Sequence, residues 1–226
     1  MTNPDELTAN RVLEFYVAEK KAIQESQFGS ELQWQVGLSS ASFTEQELLR
    51  EAAWVVLSAG FKESILRKAF SYISLCFCDW ESARLIVENA TQCQSTALEA
   101  FNNRAKIGAI VEIARIVNEL GFEDITECIL VDPVGTLQQL PYIGPITAYH
   151  LAKNLGFLYA KPDRHLTRLA AFFGFADAHR LCQVISENTS DPLNLVDLVL
   201  WRSAEQGRVP WGKAVPQSGV RPTFNC

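Results

Sequence analysis

The side chains best suited to chemistry in this sequence lie in one short stretch, Lys161-Pro162-Asp163-Arg164-His165. Asp163 stands directly before a segment with helical apolar periodicity, so one interpretation is an ordinary helix N-cap. A carboxylate at a helix start is also held ionised by neighbouring N–H groups, and it can stabilise a developing positive charge or deprotonate water. The three histidines, His150, His165 and His179, are not spaced as metal ligands, so no metal site is predicted.

A second informative stretch precedes it, Leu140-Pro141-Tyr142-Ile143-Gly144-Pro145-Ile146-Thr147-Ala148. Pro141 prevents the preceding helix from continuing, and Gly144 is expected to permit a tight turn and a close approach to another molecule. The helix that follows would direct free N–H groups and the positive end of its dipole outward, which suits a phosphate. The alternative is a plain hairpin between two packed helices.

Together the two stretches resemble the helix-hairpin-helix DNA glycosylase superfamily. The hairpin resembles its L-P-x-h-G-x-x-T-A motif, and Asp163, His165 and Arg168 resemble its D-x-H-h-x-R pattern. The resemblance covers roughly residues 45–205. It implies an all-α fold of two helical subdomains with the active-site cleft between them. It also implies that Asp163 is the catalytic carboxylate and that the partner is double-stranded DNA containing a modified base. The residues it implies as DNA contacts are Phe61, Tyr142, Gly144, Ile146, Thr147, Lys161, Arg164 and His165.

The base to be excised is left open by the sequence: 8-oxoguanine, another modified base, or a hypermodified base of foreign (phage) DNA. Chemistry on a duplex base requires its extrusion into a pocket. Asp197 and Trp201 share a helix face, and their spacing resembles the base-binding pair of archaeal-type 8-oxoguanine glycosylases. Trp34 is a second candidate for stacking. The alternatives are that Trp201 and Phe61 belong to the core and that Asp197 is a solvated charge.

Bifunctional members of the superfamily carry a nucleophilic lysine immediately before the Thr-Ala of the hairpin, where this chain has Ile146. The resemblance therefore implies a monofunctional glycosylase with water as the attacking group and with weak or absent AP-lyase activity. Lys153 and Lys161 are alternatives for a lyase amine, although a solvated or phosphate-contacting lysine is the preferred interpretation. Members with an iron–sulfur cluster have four C-terminal cysteines, and this tail has only Cys226, so no cofactor is expected.

Helices must position these residues, and we find no convincing strand. A first helix is predicted over 5–26, and residues 27–43 read as irregular. Thr44 and Glu47 form a capping box that opens the next helix. The remaining predicted helices cover 63–75, 79–89 capped by Asp79, 103–120, 133–140, 146–155, 164–173, 177–186 and 192–205 capped by Asp191. The predicted organisation is an N-terminal part (1–43), a glycosylase core (44–206) and an extended tail (207–226).

Composition sets wider bounds. The chain has 226 residues and a net charge of −6, which taken alone disfavours a nucleic-acid partner. The segment 141–180, however, carries five basic residues against two acidic ones. No apolar run is long enough to cross a membrane and the start is acidic, so a cytoplasmic monomer without a membrane partner is expected. A non-enzymatic helix-hairpin-helix DNA-binding module and a helical interaction domain remain competing hypotheses.

Overall fold

The computed structural model describes residues 4–38, 40 and 42–211. Over these residues the chain is all-α, as predicted, with thirteen α-helices and no strand. The helices are α1 (Pro4–Gln24), α2 (Gly29–Gly37), α3 (Glu45–Ser58), α4 (Glu63–Cys76), α5 (Ala83–Glu88), α6 (Ala90–Ala100), α7 (Arg104–Leu120), α8 (Phe122–Val131), α9 (Pro133–Leu137), α10 (Pro145–Asn154), α11 (Arg164–Phe173), α12 (Ala178–Thr189) and α13 (Leu193–Glu205). No described helix is both long and apolar enough to span a bilayer.

Several helix starts follow the predicted capping chemistry. Thr44 Oγ1 accepts from the Glu47 amide at 3.2 Å while Glu47 Oε2 accepts from the Thr44 amide at 2.7 Å, so the capping box is confirmed. Asp177 caps α12 by accepting from the Arg180 amide at 2.8 Å. Asp132 caps α9 in the same way. Local hydrogen bonding available in the sequence is sufficient to begin these helices.

Two predicted caps are wrong. Asp79 lies in a single 3-10 turn with φ +50°, and the side chain of Ser82 caps α5 instead. Asp191 does not cap α13, because its carboxylate accepts from Tyr16 Oη at 2.7 Å and from Lys20 Nζ at 2.7 Å. At Asp191 distant partners outweigh the local capping rule, whereas the helix predicted from Asp79 begins only at Ala83.

Residues 27–43 are not irregular throughout, since α2 forms there and buries Leu32 and Gln35. The helix packs on α13, so tertiary contacts supply what its mixed sequence does not. Helices α6 and α8 were also not predicted. The predicted extended tail lies outside the described residues from position 212 onward.

The helices surround two hydrophobic cores. The first core is built by buried residues between Phe43 and Leu155, which places helices α3 to α10 around it. The second core combines residues 12–32 from the start of the chain with residues 160–204 from its end. The chain crosses from the first core to the second between α10 and α11, and this crossing carries Asp163.

Candidate active site

The hairpin before α10 has a different backbone from the predicted one. Gly144 has φ −92°, a value that any residue can adopt. The left-handed conformation is found instead at Tyr142, with φ +64°. Gly144 is instead the N-cap of α10, and its amide donates to Thr147 Oγ1 at 2.7 Å. Within the described chain nothing accepts from the amides of Ile146 and Thr147, so the start of α10 presents two free donors.

Side chains at this helix start face solvent. Tyr142 is 52% exposed and Ile146 is 48% exposed. A Cβ added at Gly144 would meet only Thr147 Oγ1, at 3.8 Å. The start of α10 is therefore exposed, and no acidic side chain lies in its first turn.

Asp163 caps α11, as the simpler interpretation of the sequence predicted. Its Oδ1 accepts from the amides of His165 at 2.8 Å and Leu166 at 3.1 Å. Oδ2 receives no hydrogen bond from any described residue, and the side chain is partly exposed. The cap thus fixes the carboxylate and leaves one oxygen available to a ligand or water.

The side chains around Asp163 are basic, but none of those described forms an ion pair with its carboxylate. Arg164 and Arg168 are exposed, and Arg164 Nε approaches His165 Nε2 at 3.4 Å. Burial lowers the pKa of His165, and the two arginines lower it further against the opposing effect of Asp163. At neutral pH the imidazole is therefore uncharged, and the positive charge beside Asp163 comes from the arginines.

Lys153 is not the solvated or phosphate-contacting lysine that the sequence suggested. Its side chain is 6% exposed, and its ammonium is paired with Asp197 Oδ1, whose side chain is 1% exposed. Asp197 Oδ2 accepts from the Lys161 amide at 2.7 Å. A buried pair that joins α10 to α13 is expected because each charge would be costly to bury alone. Both carboxylate oxygens of Asp197 are therefore engaged, one by the Lys153 ammonium and the other by the Lys161 amide.

Lys161 lies close to this pair. Its Nζ is 3.4 Å from His150 Nδ1. Burial lowers the pKa of Lys161, and the charge of Lys153 lowers it further. Burial likewise lowers the pKa of His150 well below its usual value, with Lys161 and Lys153 acting in the same direction. The imidazole of His150 is therefore neutral and can accept a hydrogen bond from Lys161.

The predicted stacking residues lie on both sides of the boundary between the two cores. Trp34 on α2 is 38% exposed, and Phe61 in the turn between α3 and α4 is 47% exposed. Trp201 is partly buried, and the Arg202 guanidinium lies 4.6 Å from the centre of its ring. Arg202 also pairs with Glu63 at 2.9 Å, which ties α13 to α4.

One polar residue at the boundary was missed. Gln35 is 1% exposed, its Nε2 donates to the Lys153 carbonyl at 3.1 Å, and its Oε1 has no partner among the described residues. A buried acceptor without a donor is costly, so such a group requires an explanation. No local pattern predicts this role, because Gln35 becomes buried only through contacts with residues distant in sequence, such as Lys153.

Among the described residues, the candidate site therefore comprises two free amides at the start of α10, a carboxylate oxygen at the start of α11 and the buried amide acceptor of Gln35 on α2. Such a set could hold a phosphate, stabilise positive charge and read a donor edge. No group of three or more metal-ligating side chains occurs in the described part of the chain.

Comparison with known proteins identifies this fold. The chain is similar to Tm1821, the 8-oxoguanine DNA glycosylase of Thermotoga maritima, with a TM-score of 0.59 and 20% identity over 87% of this chain and 99% of that one. It is also similar to the 8-oxoguanine glycosylase/lyase of Methanocaldococcus jannaschii in complex with 15mer DNA containing 8-oxoguanine, with a TM-score of 0.55 and 16% identity over 85% and 98% of the two chains. No protein-family model and no curated protein matches the sequence. The chain therefore shares the all-α fold of these two 8-oxoguanine glycosylases.

Proposed function

We propose that this protein is a DNA glycosylase that hydrolyses the bond between a flipped-out modified base and its sugar. The observation that carries the proposal is Asp163, which is fixed through Oδ1 at the crossing between the cores and whose Oδ2 accepts from no described residue. The two structural neighbours support it, since both are described as 8-oxoguanine glycosylases. We take 8-oxoguanine as the first substrate to test.

DNA would bind through the start of α10. The amides of Ile146 and Thr147 point at a backbone phosphate, and the helix dipole favours the negative charge there. The exposed side chains of Arg164 and Arg168 add positive charge on the neighbouring helix, α11. Phe61 would enter the base stack in place of the extruded nucleotide. These contacts do not read sequence, which suits an enzyme that recognises one altered base in any context.

Hydrolysis then needs one carboxylate. As the bond between C1′ and the base nitrogen breaks, its electron pair stays with the base and the sugar becomes positively charged. Oδ2 of Asp163 stabilises that charge and takes a proton from the water that forms the new C1′–O bond. The base leaves with a proton from solvent, and an abasic site remains.

Base recognition would draw on the buried boundary between the cores. Oε1 of Gln35, which has no partner among the described residues, can accept from a base N–H. Trp34, on a different face of α2, is exposed and offers a ring for stacking at the mouth of such a pocket. Trp201 offers a second ring. Asp197 is engaged by Lys153 and Lys161, so we propose that it positions these two lysines rather than meeting the base directly.

We further propose that the enzyme is monofunctional. Ile146 stands where the superfamily's nucleophilic lysine would be, and Lys153 is held in its pair with Asp197. Borohydride trapping tests this: the wild-type protein should form no covalent DNA adduct, whereas Ile146→Lys should form one because it places an amine at the exposed helix start. An adduct in wild type that disappears in Lys161→Met would show that Lys161 acts as a lyase amine.

The activity itself is tested by base release. Duplexes carrying 8-oxoguanine, or a hypermodified cytosine in a second arm, are incubated with wild type and with Asp163→Asn. Asparagine remains a good N-cap, so folding is preserved while release falls by about a thousandfold or more. Asp177→Asn makes the same exchange at the start of α12 and should release base as wild type does. Unchanged release by Asp163→Asn would contradict the mechanism, and DNA binding without release by wild type would favour a binding module.

A further inference from the structure

The turn between α3 and α4 holds an aromatic side chain outward. Gly60 adopts φ +75°, and Phe61 follows it with 47% of its surface exposed. An apolar ring at the tip of a turn would ordinarily fold back against the protein. Phe61 instead contacts Phe101, with ring centres 4.9 Å apart, and still remains about half exposed.

A buried lysine contacts both the backbone of this turn and the Phe61 ring. Lys106, in the first turn of α7, is only 5% exposed. Its Nζ donates to the carbonyl of Leu57 at 2.9 Å and to that of Ala59, and it lies 4.6 Å from the centre of the Phe61 ring. No carboxylate pairs with it among the described residues.

The contacts of Lys106 explain how an unpaired ammonium is tolerated there. The carbonyls at the end of a helix lack partners and carry the negative end of the helix dipole, which favours a cation. The face of an aromatic ring is also electronegative and attracts the same charge. One side chain therefore fixes both the end of α3 and the orientation of the ring that projects from the following turn.

We propose that Lys106 is a positioning residue that braces Phe61 for insertion into the DNA base stack. The inference rests on the proposed glycosylase function, but its test does not require base release. An inserted ring must displace stacked bases without bending back, and a ring backed on one side by Phe101 and held by a cation on its face meets that need. Lys106 itself is too deeply buried to touch the DNA.

Insertion is measured with a duplex that contains a tetrahydrofuran abasic analogue next to 2-aminopurine. At saturating protein, wild type should change the 2-aminopurine fluorescence, and Phe61→Ala should abolish the change. Lys106→Met keeps the apolar stem and should lose more than half of it, with affinity reduced by about five- to tenfold. Lys68→Met, an exposed lysine on α4, is the matched control and should behave as wild type. Lys106→Gln replaces Lys106→Met if the latter does not fold.

A double variant separates bracing from general support of the fold. If Lys106 acts through Phe61, then Phe61→Ala/Lys106→Met should bind no more weakly than Phe61→Ala alone. A full fluorescence change in Lys106→Met, or additive losses of affinity in the double variant, would overturn the proposal. Wild type that inserts Phe61 but releases no base would reject the glycosylase activity and leave the role of Lys106 standing.

Discussion

The starts of α10 and α11 show two uses of the same helix dipole. At α10 the N-cap is Gly144, which has no side chain to offer, and no described residue accepts from the amides of Ile146 and Thr147. At α11 the N-cap is Asp163, and its carboxylate takes the amides of His165 and Leu166. The start of α10 can therefore accept an anion from a ligand, whereas the start of α11 already binds the carboxylate of Asp163.

Under the proposed function, the difference would let a chain of net charge −6 bring a carboxylate close to DNA. The negative charge of Asp163 is partly offset by the amides it accepts from and by the positive end of α11. The phosphate would be received by the other helix start, where no acidic side chain competes. Surface lysines are thus less important to this arrangement than the two helix ends.

The largest effect is expected from a variant that gives α10 the same acidic N-cap as α11, because this removes the difference between the two helix starts. Gly144→Asp should fit, because φ is −92° and an added Cβ meets only Thr147 Oγ1 at 3.8 Å. The new carboxylate would compete with a phosphate for the free amides, so affinity for an abasic-analogue duplex should fall on the order of tenfold. Fluorescence anisotropy at fixed ionic strength measures this effect.

Gly144→Asn is the control for that variant. Asparagine caps a helix as well as aspartate does but brings no charge, so it should retain more of the affinity. Equal losses in the two variants would show that the charge is irrelevant and that the side chain merely obstructs the helix start.

A smaller effect is expected at Tyr142, which holds a left-handed conformation with φ +64° at the hairpin. Tyr142→Gly should raise the free energy of unfolding by about 1 kcal/mol, because a side chain at this φ is strained. Urea unfolding measures the gain. If the exposed ring also contacts DNA, the same variant should bind the duplex several-fold more weakly. A variant that is neither more stable nor weaker in binding would remove any special role for this residue.

The smallest effect concerns the contact between the middle of α10 and the segment that precedes α11, in which Lys161 Nζ lies 3.4 Å from His150 Nδ1. The folded state holds the pKa of His150 below 6.5, so unfolding takes up a proton once the pH falls below that value. The contribution of neutral His150 to the free energy of unfolding should therefore be complete above pH 6.5 and should decrease as the solution is acidified. The decline should be shallower in His150→Gln, as measured by unfolding at pH 7.0 and 5.5. Parallel pH profiles would show that His150 does not contribute.

The helix starts were the most predictable part of the site, because they depend on residues adjacent in sequence. Asp163 as a cap and the hairpin before α10 both followed from local chemistry. The detail within the hairpin did not: glycine at 144 suggested the turn residue, yet tyrosine at 142 takes the left-handed conformation. Flanking helices can impose a conformation that the local residue disfavours.

The boundary between the cores was the least predictable part. Lys153, Asp197, Gln35 and Arg202 each meet partners far away in the sequence, and their burial appears only when α2 and α13 pack against the first core. A charge pattern along one chain cannot show which lysine will be withdrawn from solvent. For the same reason Lys153 was expected on the surface and lies inside.

The division of the chain between two cores has a consequence for synthesis on the ribosome. The first core uses only residues 43–155 and can pack as soon as these have emerged. The second core must wait, because α1 finds partners such as Asp191, far along the chain, only near the end of translation. Asp163 is therefore brought to its final position late, because it stands where the chain enters the second core, whereas the hairpin before α10 belongs to the first core and can form earlier.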